Sequence, residues 1–263
     1  MQSESQLRRD ICDIGKRIWT RGYVAANDGN ITVRLEDGCL LATPTGVSKG
    51  FMTPDMIIKL DPEGNKIAGE LNPSSELKMH RAVYAMRPDV KAVVHAHPPT
   101  ATGFAVAGIP MNKMLLPEVI ISLGWVPIAK YGTPSTEELG DVLKELLNHH
   151  DAMLLENHGA LTVGHNLTNA YFKMETIELA AQISLSACLL GREREISPAN
   201  VEKLMQVRKK LGVQGMHPAL SSTPRMPAAE SEQETCNHLS ESRLADVVAR
   251  VTREVLRNIK EMD

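Results

Sequence analysis

Aromatic residues are scarce in this chain of 263: Phe 3, Tyr 4 and Trp 2, or 3% in all. The formal net charge is −3 at pH 7, so no basic excess is present either. A general nucleic-acid binder needs a basic stripe and, for single strands, aromatic faces to stack on; the composition excludes that class. Cysteine is rare too. Cys12, Cys39, Cys188 and Cys236 are scattered with no CxxC pair, which excludes a thiolate zinc knuckle and leaves four expected free thiols in a reducing cytoplasm. No apolar run approaches the roughly 20 residues that span a bilayer, and Met1-Gln2-Ser3-Glu4-Ser5-Gln6 carries no targeting pattern. A cytoplasmic location without a membrane partner is therefore expected. A GxGxxG after the first strand is also missing, which removes the usual dinucleotide signature.

What is present begins with length and an apolar content of 43%, enough for one large domain or two small ones. Residues 4–22 have helical periodicity, with Leu7, Ile11, Ile14 and Ile18 on one side. Asn27-Asp28-Gly29-Asn30 is a dense turn signal before an alternating strand at 31–35, and Glu36-Asp37-Gly38 turns into a second strand at 39–43. Thr43-Pro44-Thr45-Gly46 is a loop rich in hydroxyls and backbone donors. A strand is expected at 57–60 and a helix from Ser74-Ser75-Glu76 to about Met86, which either serine could cap. A strand at 90–97 and a short helix at 99–107 follow, and 118–126 is apolar but ambiguous. Ser135 is a plausible cap for a helix at 136–148. Strands at 153–156 and 160–163 precede a long helix over 166–191 and a shorter one over 198–211. Hairpins mixed with helices predict an α/β or α+β domain with a mainly antiparallel or mixed sheet.

Within this order, Val93-Val94-His95-Ala96-His97-Pro98 places two histidines two apart on a strand, where i and i+2 share a face. Leu154-Leu155-Glu156-Asn157-His158-Gly159 ends another apolar run in a histidine. Three neutral imidazoles plus a carboxylate such as Glu76, or water, suit a zinc-like cation with an open position. Each piece also has a plain structural reading: strand histidines, helix-capping serines, a turn asparagine, a first-turn carboxylate. His80, His149, His150 and His165 read as surface or structural histidines.

Taken together, Gly29-Asn30, Thr43-Pro44-Thr45-Gly46, Ser74-Ser75-Glu76, Val94-His95-Ala96-His97 and Asn157-His158-Gly159 resemble, in order, the motifs of the class II aldolase/adducin family, and within it the fuculose-phosphate aldolase branch. The resemblance covers residues 7 to 213. It implies a single α/β domain with a central, mainly antiparallel sheet flanked by helices, in cyclic tetramers with active sites at subunit interfaces. It implies that His95, His97 and His158 bind one zinc ion per subunit. Glu76 would be the acid/base, and a zinc ligand when substrate is absent. Asn30, Thr45, Gly46, Ser74 and Ser75 would hold a substrate phosphate. The implied reaction is retro-aldol cleavage of a ketose 1-phosphate of the L-fuculose or L-rhamnulose type to dihydroxyacetone phosphate and lactaldehyde. An L-ribulose-5-phosphate 4-epimerase (which carries aspartate in place of Glu76), a methylthioribulose-phosphate aldolase, and a non-catalytic adducin-like domain are the alternatives. The two tyrosines of the fuculose-phosphate pattern have no match in Asn112-Lys113-Met114-Leu115-Leu116-Pro117 or in Lys210-Leu211-Gly212, which leaves Tyr131 and Lys130 as loop candidates.

Past the main body the composition changes. The expected division is an aldolase domain over 1–212, a Pro- and Ser-rich linker over 213–241, and an amphipathic helix over 242–263. In that helix Leu244, Val247, Val248, Val251, Val255 and Ile259 recur at helical spacing. A short helix of this kind cannot bury its own stripe. It looks like the encapsulation peptides that recruit enzymes into bacterial microcompartments, with shell proteins as partners.

Overall fold

The computed structural model describes residues 2–136, 138–220 and 249. The expected α/β architecture is the one observed. Eight strands form one sheet, in the order β4-β3-β2-β1-β5-β8-β7-β6. They are β1 (Asn30–Arg34), β2 (Leu40–Ala42), β3 (Ile58–Leu60), β4 (Lys66–Ala68), β5 (Ala92–Ala96), β6 (Ile128–Ala129), β7 (Ala152–Leu155) and β8 (Gly159–Gly164). Every pairing is antiparallel except β6 with β7.

The helices are α1 (Glu4–Thr20), α2 (Leu77–Met86), α3 (Pro99–Ala107), α4 (Pro117–Ser122), α5 (Glu138–Asp141), α6 (Lys144–Leu147), α7 (Leu167–Leu189) and α8 (Pro198–Lys210). Ser3 caps α1 by accepting from the Gln6 N–H, and Asn166 caps α7 by accepting from the Asn169 N–H. The alternation of β5 sorts its side chains between two cores. Ala92, Val94 and Ala96 pack with Ile11, Ile14 and Ile18 of α1 and with Met174 and Ile177 of α7. Val93 packs on the other face with Met79 and Val83 of α2, Leu139 of α5, Leu143 at the cap of α6 and Leu147 of α6. Each fully buried aliphatic side chain contributes about 1.5–3 kcal/mol, so the sheet is clamped from both faces.

Several expectations change. The single helix expected over 136–148 is two short ones, α5 and α6, and Ser135 caps neither: its Oγ donates to Ser75 Oγ at 2.7 Å. The ambiguous stretch at 118–126 divides into α4 and an irregular end whose Val126 pairs with Met111. Strand β4 had no alternating pattern to reveal it, because all three of its residues are exposed at the sheet edge. Cys12 and Cys39 are free thiols, as expected. Cys188 is disulfide-bonded and so departs from the expected free thiol; the scattered spacing carried no sign of it.

Contacts with the main body continue past residue 212. Arg208 donates to the Gly215 carbonyl at 3.0 Å, and His217, 2% exposed, binds the Ile120 carbonyl through Nε2 at 2.6 Å. Residues 215–217 are thus tied to α4 through Arg208 and His217. The expected linker beyond Leu220 and the terminal helix, apart from residue 249, lie outside the described residues.

Candidate metal centre and anion cradle

His95 is the last but one residue of β5 and shares its α2-facing side with Val93. Directly opposite it on β1 stands Asn30. His97 follows the strand, held by its N–H to the Tyr23 carbonyl at 2.8 Å. His158 sits in the three-residue turn between β7 and β8, with Asn157 at a left-handed φ of 53°. Gly159 lets that turn close on the β5 end. A Cβ there would lie 2.6 Å from the Ala96 carbonyl oxygen and 2.6 Å from the His97 ring. Glu76 comes from the opposite direction, at the N-terminus of α2.

These four elements bring the side chains to one point. One ring nitrogen from each of His95, His97 and His158 lies within 4.8 Å of the others. His95 Nε2 is 3.1 Å from His97 Nε2. The Glu76 carboxylate closes the set, with Oε1 at 3.1 Å from His158 Nε2 and Oε2 at 3.5 Å from His95 Nε2. Ligands about 2.0–2.1 Å from a tetrahedral zinc stand roughly 3.3 Å from one another, so the donor set fits that ion. The orientation fits as well. His95 Nδ1 meets the Ala160 carbonyl at 3.0 Å, which fixes the tautomer and leaves the Nε2 lone pair facing the cluster.

Electrostatics favour neutral imidazoles beside a charged carboxylate. Burial pushes the His95 pKa down, with the neighbouring histidines adding to the effect; it also lowers that of His97. For Glu76, burial acts upward, but the His158 hydrogen bond, the proximity of His95 and the Asn30 amide at 2.7 Å outweigh it and hold the carboxyl well below the usual range.

The other expected site residues lie beside this cluster. The Thr45 N–H donates to the Asn72 carbonyl at 2.9 Å and Pro44 bridges Pro73, so the Thr45-Gly46 loop and the Ser74-Ser75 turn are stitched side by side. Gly46 has φ +74°, the left-handed value required at the third position of such a turn. Ser74 Oγ accepts from the Glu76 N–H at 3.3 Å. The Asn30 amide nitrogen donates to Glu76, and its Oδ1 is buried without a partner among the described residues.

Tyr131 and Lys130 are exposed, and the Tyr131 N–H donates to Glu156. Met114, in the stretch where the resemblance finds no matching tyrosine, is buried against Ile120 and Trp125. Sequence reasoning missed Glu178. This residue of α7 is 1% exposed and accepts from the N–H groups of Thr100 and Ala101, anchoring α3 just after His97. A glutamate inside a long helix gives no sequence signal that its partner is another helix's N-terminus.

The model of the class II aldolase and adducin N-terminal domain matches residues 9–185. The chain belongs to this family. Among relatives of the class II aldolase family, a 3-oxo-tetronate 4-phosphate decarboxylase of Pectobacterium atrosepticum is 34% identical over 187 residues, 70% of this chain and 85% of that protein. A 5-methylthioribulose-1-phosphate/5-deoxyribulose-1-phosphate aldolase of Rhodospirillum rubrum is 34% identical over 223 residues, 84% of this chain and 98% of that one. A solved L-fuculose 1-phosphate aldolase superposes with a TM-score of 0.73 at 29% identity, covering 80% of this chain and 98% of its own. The chain is therefore an enzyme of the class II aldolase superfamily with the class II aldolase fold. Among the described residues no helix is long and apolar enough to cross a membrane.

Proposed function

We propose that this chain is a zinc-dependent lyase that cleaves a deoxyketose 1-phosphate of the L-fuculose or L-rhamnulose type to dihydroxyacetone phosphate and lactaldehyde. The observation that carries this reading is the convergence of His95, His97, His158 and Glu76 beside an uncharged cradle made by two stitched loops. When bound by the three imidazoles, zinc would polarise the substrate's carbonyl oxygen and offset the negative charge that builds there.

The chain's own residues supply the rest. Backbone N–H groups of the Thr45-Gly46 loop and the hydroxyls of Ser74 and Ser75 hold the phosphate. Asn30 fixes the Glu76 carboxylate through Oε2. As the carbon–carbon bond breaks, its electron pair stays on the fragment that carries the phosphate. The Glu76 carboxylate takes the proton that the hydroxyl on the departing fragment gives up as it becomes an aldehyde, and delivers it to that carbon, so the step closes with no net gain or loss of a proton. The Thr45–Gly46 cradle and the metal cluster lie next to each other in the same subunit, and the remaining wall of the site is assigned to a neighbouring subunit of a homotetramer.

A second reading has its own support. The Rhodospirillum relative matches over more of this chain than the Pectobacterium decarboxylase does. Under that reading the substrate is a methylthioribulose or 5-deoxyribulose 1-phosphate and the chemistry is unchanged. Incubating zinc-loaded protein with a panel of ketose phosphates and 3-oxo-tetronate 4-phosphate separates the cases by product. Dihydroxyacetone phosphate supports an aldolase and the aldehyde released names the substrate. Epimerised pentulose phosphate or carbon dioxide instead would sink it.

For the tail, the reading is that 242–263 addresses the enzyme to a microcompartment shell, where a reactive aldehyde is confined. The amphipathic pattern of Leu244 to Ile259 after a polar stretch supports it. Residues 240–263 fused to a fluorescent protein are expected to give puncta in shell-making cells, and diffuse signal there counts against the reading.

A further inference from the structure

The groups assigned to the phosphate are all neutral. A phosphate monoester carries about −1.5 to −2 charges at pH 7, and a nearby cation discriminates such a group from a hydroxyl far more strongly than dipoles do. One buried cation stands against this loop. Lys49 is 1% exposed, and lysine is almost never fully buried unless paired. Its ammonium donates to the Asn27 and Val47 carbonyls, both at 2.9 Å. These carbonyls belong to the two turns that enter the site: Asn27 to the one before β1 and Asn30, Val47 to the Thr45-Gly46 loop. No carboxylate forms an ion pair with it among the described residues; Asp28 and Glu76 act on it only from longer range. Burial draws its pKa down to about 8, which leaves it mainly charged at neutral pH.

Two further features show that the position is built. Helix α1 backs the loop closely: a Cβ on Gly15 would lie 2.9 Å from the Lys49 carbonyl oxygen, and one on Gly50 would lie 2.4 Å from the Trp19 ring. The lysine stem is therefore held from behind. In addition, a peptide unit is planar with its C=O and N–H opposed. With the Val47 carbonyl drawn to the ammonium, the Ser48 N–H points away from it. Neither that N–H nor the Gly46 N–H finds an acceptor among the described residues. Two free N–H groups on either side of Val47, beside a left-handed glycine, are available to an anion.

We propose that the phosphate site extends to the Ser48 N–H and to Lys49, whose ammonium locks the two turns and supplies the positive charge that selects phosphorylated substrates. The inference rests on the sugar-phosphate reading above. Lys49 is a positioning residue: it acts through the Asn27 and Val47 carbonyls and through its field.

The test compares the wild-type zinc-loaded chain with Lys49→Met, which keeps the length and removes the charge, and Lys49→Arg, which keeps the charge. Inorganic phosphate binding is read by titration calorimetry, zinc by elemental analysis, folding by melting temperature, and KM and kcat with the active ketose phosphate. Lys49→Met is expected to weaken phosphate binding and raise KM about 10- to 100-fold, with zinc content unchanged and kcat altered far less. Lys49→Arg should recover most of the loss. Wild-type phosphate affinity in a folded, zinc-bound Lys49→Met protein would overturn the inference. So would loss of zinc and melting temperature that arginine fails to restore, since that is the mark of a purely structural lysine. If the wild-type chain cleaves its ketose phosphate but inorganic phosphate does not bind, this inference alone fails. If it neither cleaves a ketose phosphate nor binds phosphate, the sugar-phosphate reading fails with it.

Discussion

His95→Ala is expected to strip the chain of zinc and of activity together. His95 is fully buried at the centre of the sheet, with Nδ1 tied to the Ala160 carbonyl and Nε2 facing His97 and Glu76. Removing a ring's orienting partner alone typically costs 10- to 100-fold in metal affinity; removing the ring itself should cost more than about 100-fold. The substitution also leaves a cavity beside Leu161, and a large-to-small change in a core destabilises by about 2–5 kcal/mol. Elemental analysis after dialysis should find less than about a tenth of the wild-type zinc, with turnover falling in parallel. His165→Ala is the control, because His165 is exposed and remote from the cluster's contacts; it should keep both. Retention of zinc by His95→Ala would show that the ion sits elsewhere.

Glu76→Gln separates holding the ion from moving the proton. The amide has nearly the same shape and can keep its contacts with Asn30 and His158, but it has no proton to exchange at neutral pH. Loss of a positioned acid or base costs about 10²- to 10⁴-fold, and the loss should fall on kcat more than on KM. The three imidazoles remain, so zinc content should drop much less than in His95→Ala. Single-turnover kinetics on zinc-saturated protein reads this directly. A variant with zinc bound and near-normal kcat would remove Glu76 from the proton transfer.

The histidine cluster was legible because strand geometry is simple. An i, i+2 pair on β5 must share a face, and an apolar run ending in His158-Gly159 must turn close to a neighbouring strand. The sheet was legible for the same reason wherever one face is buried. It was hidden at β4, whose Lys66, Ile67 and Ala68 are all exposed and so show no alternation. The break between α5 and α6 was hidden because Leu139, Leu143 and Leu147 keep helical spacing across it, and all three are buried against α2. Lys49 was hidden for a different reason. A lysine beside a loop glycine reads as a solvated surface charge, and only the packing of the loop on α1 puts it inside. Asn30 read on its own only as a turn residue and came into the site through the resemblance; its bond to Glu76 comes from the register of β1 on β5, which no single-strand pattern carries.

The central claim is that one metal, three imidazoles and a phosphate cradle form a single site. A crystal of the zinc-loaded chain grown with dihydroxyacetone phosphate, measured at the zinc absorption edge, tests it most directly. The expected result is one anomalous peak per subunit enclosed by His95, His97 and His158. The ligand's phosphate should then lie against the Gly46 and Ser48 N–H groups and the Ser74 and Ser75 hydroxyls. A peak away from these three rings, or a phosphate seated outside the two stitched loops, would contradict the account.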